Sequence, residues 1–430
     1  MQNKKIFHNA KWIVVCRIAQ SLIQVVVGML TARYMGPSNY GLIHYASSVV
    51  AFFVPLMQLG LQSTLVQEYI ENQEHSGRIL GTSLVMNLVS AVACMIGVTV
   101  FSLVANHGDR TAVLVCALYS VCLFFQAFEM LQYWFQAQLL SKYSSSAMLL
   151  AYVVTSAYKI YLLASGKSVY WFALSHAVEY AAAGVFMLLA YRKNTKQKIS
   201  VSLETGKKLF TKSKPYIPAT LMEIVYNSTG GIFLTLMHGE TENGYYAAAV
   251  TCTCITGFIF RAIFDTARPV ILESKKVSQL DFEKNVSRVY SLTIWAAAAQ
   301  SVMYTLCASL IVRVLYGETY LPAIPVLQIM IWYTIFSYIA YVRNIWILAE
   351  EKHKYLFPIN LCGAVVNVMT NVLLVPVMGA AGAALAMVIT VVFTNFIMGF
   401  ILKPMRQNNR LLLRGMNPRL ITEMLFAFKT

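Results

Sequence analysis

Charge is scarce in this sequence. Only 12% of its 430 residues are charged, about half the share of an ordinary soluble domain. Acidic residues are the scarcer kind: 18 Asp and Glu stand against 34 Lys and Arg, a formal net charge of +16. Metal-binding patterns are missing as well. The seven histidines include no His-x-x-x-His pair, and the eight cysteines all lie in apolar runs. Cys252 and Cys254 would point to opposite sides of a helix, so the thiols read as small core residues. Alternating ten-residue segments are absent, which excludes a transmembrane β-barrel. The loops on one side of the apolar runs are all short, leaving no domain to house an active site. No enzyme, metal centre or cofactor is expected.

What is abundant is apolar length. Hydrophobic residues make up 58% of the chain, with a mean hydropathy of +0.60. Runs of 18 or more recur from end to end, each able to cross a hydrocarbon core of about 30 Å. Twelve spans are predicted: 12–34, 41–66, 79–104, 111–138, 147–165, 169–190, 215–238, 244–271, 289–313, 322–348, 355–377 and 380–402. The fold class is therefore all-α, polytopic and membrane-spanning. "MQNKKIFHNAK" is basic, but the following run is too long for a signal segment and lacks a small-residue cleavage site. It reads as a retained first span.

Charge placement orients the chain. The loops on the N-terminal side hold 25 Lys and Arg against 10 Asp and Glu, while the opposite loops, with Arg33 and Arg313 counted at their edges, hold 4 of each. By the positive-inside rule both termini are expected in the cytoplasm, and the protein in the cytoplasmic (inner) membrane. The basic excess lies on loops facing anionic headgroups, so membrane lipids, and no nucleic acid, are its expected partners. The organisation is a six-helix lobe (1–190), a basic linker (191–214), a second six-helix lobe (215–402) and a basic tail (403–430). The linker is expected to be an interfacial helix or a flexible link.

An internal repeat supports two lobes. Gly36 and Gly41 bracket "PSNY"; Gly239 and Gly244 bracket "ETEN", 203 residues later. The same offset carries Trp12 to Pro215, the start of span seven, and "HGDR" to the neighbourhood of "RVLYGETY". The match drifts by about ten residues toward the end, as a diverged six-span parallel repeat would. The first of these stretches reads as a hairpin turn: Gly36 and Pro37 end one helix, Ser38 and Asn39 turn, Gly41 starts the next. A phosphate loop is excluded, because no Lys-Ser/Thr follows Gly41.

The stretches "ARYMGPSNYGLIHYASSVVAFFVPLMQLGLQSTLVQE" (32–68), "YWFQAQLLSKYSSSA" (133–147), "GYYAAA" (244–249) and "VLYGETYLPAIPVLQIM" (314–330) carry a resemblance. They are similar to polysaccharide repeat-unit flippases, the Wzx type of the multidrug/oligosaccharidyl-lipid/polysaccharide (MOP) exporter superfamily. The similarity runs over nearly the whole chain. It implies two six-helix lobes flanking a central cavity, as in MATE and other MOP proteins. The implied task is moving a polyprenyl-pyrophosphate-linked oligosaccharide from inner to outer leaflet by alternating access. The setting would be surface polysaccharide synthesis, such as O-antigen of lipopolysaccharide, with a polymerase and chain-length regulator as further partners. The peptidoglycan-precursor flippases of the superfamily have two further spans, absent here. The alternative is a MATE-like drug/cation antiporter.

Nine ionisable residues fall within the spans, where each costs several kcal/mol unless it meets protein or water. Arg17, Lys159, Arg261 and Arg343 are candidate cations for a pyrophosphate, since guanidinium stays charged and presents forked donors. Arg268 and Arg343 are also near enough to span ends to snorkel. Glu129, Glu223 and Asp265 are candidates for ion coupling, to H+ or Na+, or for charge partners, and Glu179 joins them. Arg261 and Asp265 sit four apart and could neutralise each other. Thr251, Arg261, Asp265 and Arg268 read as one helical stripe. Asn360, Asn367 and Asn371 mark another polar face on span eleven.

Overall fold

The computed structural model describes residues 2–195 and 197–420, and among these every regular element is helical. Eight helical stretches are long and apolar enough to cross a membrane, and a pair bent by 41° makes a ninth. Two of the eight, Ala19–Gln58 and His353–Ile401, run to 40 and 49 residues. At 1.5 Å per residue each is about twice what a 30 Å core requires. Each contains a glycine break, Gly36 and Gly379, that divides it into two spans. Tyr216–His238, at 23 residues, supplies the length of one more. The described residues thus accommodate the twelve expected spans.

The chain forms two compact units. Unit 1 comprises Met1–Ile224 with Gly239–Gly244. It holds α1 (Gln2–Gln58), α2 (Leu65–Glu71), α3 (Ser76–Ala105), α4 (Arg110–Gln126), α5 (Met130–Ala137), α6 (Ser141–Ala164), α7 (Val169–Ala173), α8 (Ser175–Asn194) and α9 (Leu203–Ser213). α10 (Tyr216–His238) and α11 (Glu240–Cys254) begin in this unit and continue into the next.

The turn expected at 36–41 is placed differently from the reading above. Only Gly36 leaves helical geometry (φ 70°, ψ 171°), in a region essentially closed to other residues. Pro37 then opens the second helix, where its missing N–H costs nothing, and "PSNY" is that helix's first turn. The repeat reproduces the device: Gly239 has φ 83° and precedes α11. Gly108 and Gly317 share φ 86°, and Gly166 and Gly379 follow with φ 65° and 53°. These six fall in pairs, the drifting repeat written in backbone angles, while Gly60 (φ 69°) has no counterpart.

The second glycine of each bracket serves packing. A Cβ on Gly41 would collide with the Glu240 carbonyl, and one on Gly244 with the Pro37 carbonyl. The two helix starts therefore cross reciprocally, backbone on backbone. Asn243, fully buried, donates to the Gly41 carbonyl at 2.9 Å and meets His44 Nδ1 at 3.0 Å.

The linker is folded rather than loose. Residues 197–202 run extended across the start of α3: Gln197 accepts from Gly77 N at 2.9 Å and donates to Gln73 O at 3.0 Å. α9 then packs Leu209 into a core with Leu65, Tyr69, Leu80 and Trp134. Its far end is anchored by Ser213 Oγ donating to Leu59 O at 2.8 Å. The charge clasp is Glu68, only 3% exposed, bonded to Lys212 with Lys208 at 3.6 Å and Asn72 at 3.2 Å. That bond to Glu68 holds the Lys212 ammonium above its ordinary pKa.

Unit 2 comprises Val225–His238 and Tyr245–Thr430. It continues α10 and α11 and adds α12 (Gly257–Val277), α13 (Gln279–Tyr316), α14 (Ala323–Met330), α15 (Tyr333–Ala349), α16 (Leu356–Val392), α17 (Met398–Ile401) and α18 (Arg406–Gly415). A π-turn, Phe393–Ile397, joins α16 to α17. Its core centres on Trp346 and on Phe260 stacked on Tyr338, ring centres 3.9 Å apart. The basic tail is docked as far as it is described: Tyr290 Oη donates to Asn408 at 2.8 Å, and Ser291 Oγ to Asn417 O at 3.0 Å.

Two outcomes follow. Gly41→Val overpacks a backbone crossing and is expected to cost about 1–3 kcal/mol, read as a lower melting temperature in detergent; an unchanged value would contradict the crossing. For the Glu68 clasp, Lys212's folded pKa lies above the unfolded value, so its contribution is complete below about pH 10.4 and is lost as pH rises through the raised pKa. Hydrogen exchange across 203–213 should therefore accelerate above that pH, and already at neutral pH in Glu68→Gln.

Candidate functional site

The intramembrane charges gather into one cluster in each unit, with a third group on α12. In unit 1, α4 tightens into a 3-10 turn, Ala127–Glu129, before α5 begins. Gln126 donates to Glu129 Oε2 at 3.1 Å across this turn. On α8, His176 Nδ1 lies 3.5 Å from Glu179 Oε2, an i,i+3 pair. Lys159 on α6 is within electrostatic reach of both, and Glu129 and Glu179 feel one another. Tyr119 leans on His176, ring centres 5.2 Å apart, and Tyr180 borders both carboxylates. Glu179 thus has His176 and Lys159 near it, while Glu129 is bonded to Gln126. With the imidazole neutral, the group carries a formal charge of −1 and has capacity for a proton or small cation.

In unit 2 the central group is Arg343, 7% exposed on α15. It does not snorkel. One guanidinium nitrogen donates to Thr394 O at 3.0 Å and Asn395 Oδ1 at 2.7 Å, and the other to Asn344 Oδ1 at 3.3 Å. The π-turn explains this reach. Its extra residue frees the Thr394 carbonyl from the regular ladder and swings Asn395 inward, where Asn395 also donates to Phe336 O at 3.1 Å. Arg343 Nε has no hydrogen-bond partner, and no carboxylate pairs with the guanidinium, among the described residues. Beside it, buried Asn367 donates to Thr390 at 3.0 Å and accepts from Asn371 at 3.0 Å.

The remaining expected residues are placed as follows. Arg261, Asp265 and Arg268 are exposed on α12, and Arg261 and Asp265 form no ion pair among the described residues. The stripe beginning at Thr251 is corrected: the helix stops at Cys254 and resumes, bent, at Gly257, so Thr251 is out of phase. Glu223 is exposed on α10. Arg17 lies in the α1 helix, and its side chain falls outside the described residues. No group of three His, Cys, Asp or Glu side chains suited to a metal ion occurs among the described residues.

Sequence reading missed His176 and Asn395. His176 was legible as an i,i+3 neighbour of Glu179. Asn395 was not, because regular helical spacing gives no hint of a π-turn.

Helices long and apolar enough to cross a membrane, with charged side chains buried among them, define a multi-pass membrane protein. Residues 6–275 match the family of polysaccharide biosynthesis proteins. With more than half its length matched, the chain belongs to that family, within the MOP superfamily. No curated protein matches the sequence. Among solved structures it resembles the lipid II flippase MurJ in its inward closed conformation, with a TM-score of 0.74 and 12% identity over 96% of this chain and 92% of that one. An inward-facing multidrug-resistance MATE transporter follows at TM-score 0.65 and 14% identity, over 93% and 99%. A eukaryotic MATE transporter gives 0.59 and 14%, over 96% and 99%. At such identities the likeness establishes a shared fold.

The unit 1 cluster makes a direct prediction. Lys159→Met removes the positive charge near Glu179 and is expected to destabilise the unit, seen as reduced membrane level and melting temperature. Adding Glu179→Gln should restore most of the loss; a double variant as weak as the single would show that the two do not interact.

Proposed function

We propose that this protein is a flippase for polyprenyl-pyrophosphate-linked oligosaccharide, moving the repeat unit from inner to outer leaflet of the cytoplasmic membrane by alternating access, with both termini cytoplasmic. Family membership supports surface-polysaccharide synthesis as the setting. The observation that carries the substrate class is Arg343. Its charge is held inside a span on neutral acceptors, so it is screened by no carboxylate and acts at range in a low dielectric. A retained positive charge favours a substrate that brings negative charge into the membrane, as a pyrophosphate bridge does. Arg17, Lys159 and Arg261 are the further cations assigned to the headgroup's path. Sugar hydroxyls suit the amides and phenols that accompany these charges.

The carboxylate pair Glu129 and Glu179 is assigned to ion coupling. Two acids beside one lysine can bind and release a proton as the protein changes state, and a proton gradient could thereby drive the cycle. Glu129, with no basic partner among the described residues, also favours the second reading, a MATE-like antiporter for organic cations.

Deleting the gene distinguishes the two. The flippase reading expects lipid-linked repeat units to accumulate on the inner leaflet, with surface glycan lost. Loss of drug resistance with normal glycan would replace it by the antiporter. Arg17→Ala and Arg261→Ala are each expected to abolish complementation at unchanged membrane level; if both complement, the cationic path is wrong.

A further inference from the structure

Unit 1 carries an apolar groove of about 520 Å³ where α9 and the extended strand before it lie against α3. Its floor is Val85, Met86 and Val89 of α3, and its lip is Val201, Phe210 and Lys207. The apolar lining is not buried against protein: Val89 is 68% exposed. Only 22% of the apolar window of this span is covered inside the protein. α3 therefore faces hydrocarbon, and the groove opens into the bilayer.

The position of the groove is built. Gly77 and Gly81 let the strand approach α3 so closely that a Cβ at either would strike the Lys198 or Ser200 carbonyl. Ser200 N donates to Gly77 O at 3.3 Å and Ser202 N to Thr82 Oγ1 at 3.1 Å. The Ser200 and Ser202 N–H groups are thus satisfied on α3, and the side chains of Ile199, Val201 and Leu203 are left exposed. Such residues are costly beside water but favourable within a leaflet.

Charge at the lip is unevenly spent. Lys208 and Lys212 are engaged with Glu68. Lys207 lines the groove and makes no ion pair among the described residues, including with Glu204 one turn earlier. The surrounding segment 191–214 holds eight Lys and Arg and one Glu. An apolar trough ending at an unspent ammonium, at the depth where a span leaves the membrane, matches an amphiphile with one hydrocarbon chain in the trough and an anionic phosphate at its mouth.

We propose that this groove is a binding site for an anionic phospholipid, its acyl chain along Val85 and Val89 under Phe210 and its phosphate on Lys207. The occupant ties the linker to the bilayer and makes the seating of α9 dependent on lipid charge. Zwitterionic lipid would fill the trough but leave Lys207 without a net anionic partner.

The test uses the full-length protein in phosphatidylcholine vesicles, with Phe210→Trp as reporter and the native chain, with its six tryptophans, as background. Lipid brominated on the acyl chain is added at equal mole fraction as phosphatidylglycerol or phosphatidylcholine. The expected result is quenching of the added tryptophan with about five-fold preference for phosphatidylglycerol, the enrichment one basic residue gives at a membrane surface. Lys207→Gln and Lys207→Glu, both surface changes, should remove that preference while leaving chain contact. Equal quenching by the two lipids, or a preference that survives both substitutions, would overturn the site. Displacement of brominated phosphatidylglycerol by equimolar polyprenyl phosphate would also overturn it, reassigning the groove to a prenyl chain.

Discussion

A charge in hydrocarbon must be answered. An ionised side chain at the bilayer centre costs several kcal/mol when isolated, and much of this structure is the set of answers. Lys159 has the Glu179 carboxylate of the next span within electrostatic reach. Arg343 is met by an amide and by a carbonyl that only a π-turn could free. The irregular turns, 3-10 at Glu129 and π at Asn395, fall beside ionisable groups. A regular helix would have offered neither the angle nor the acceptor.

The second constraint is the mismatch between helix length and bilayer thickness. Long apolar helices must be interrupted, and at Gly36, Gly239 and Gly379 a glycine of positive φ does so without a loop. Gly36, Gly108 and Gly166 are matched by Gly239, Gly317 and Gly379. At Gly36 and Gly239 the break uses a single residue, so the next helix begins at once and the two helix starts can cross at backbone distance. Gly41 and Gly244 exist for that crossing; the pair of glycines five residues apart is a break followed by a contact.

The two clusters differ in electrostatic kind. Unit 1 holds excess acid tempered by a lysine, and unit 2 an unopposed guanidinium. The linker adds a third electrostatic element, a basic helix clasped through Glu68 to the body of unit 1.

Hydropathy determined the membrane-spanning class and the expected spans, because crossing a bilayer imposes a length and an apolarity that no tertiary contact can waive, and glycine spacing gave away the repeat. Glu129, Glu179, Lys159 and Arg343 were visible for the same reason: charge inside an apolar run stands out locally. Which charge answers which was decided only in three dimensions, since Lys159 and Glu179 sit on separate helices and Asn395 reaches Arg343 through a π-turn that leaves no periodic trace. The turn at Gly36 shows the limit most plainly. Gly-Pro-Ser-Asn spelled a loop, yet one residue's φ/ψ sufficed, because the close approach of another helix start rewarded keeping the rest helical.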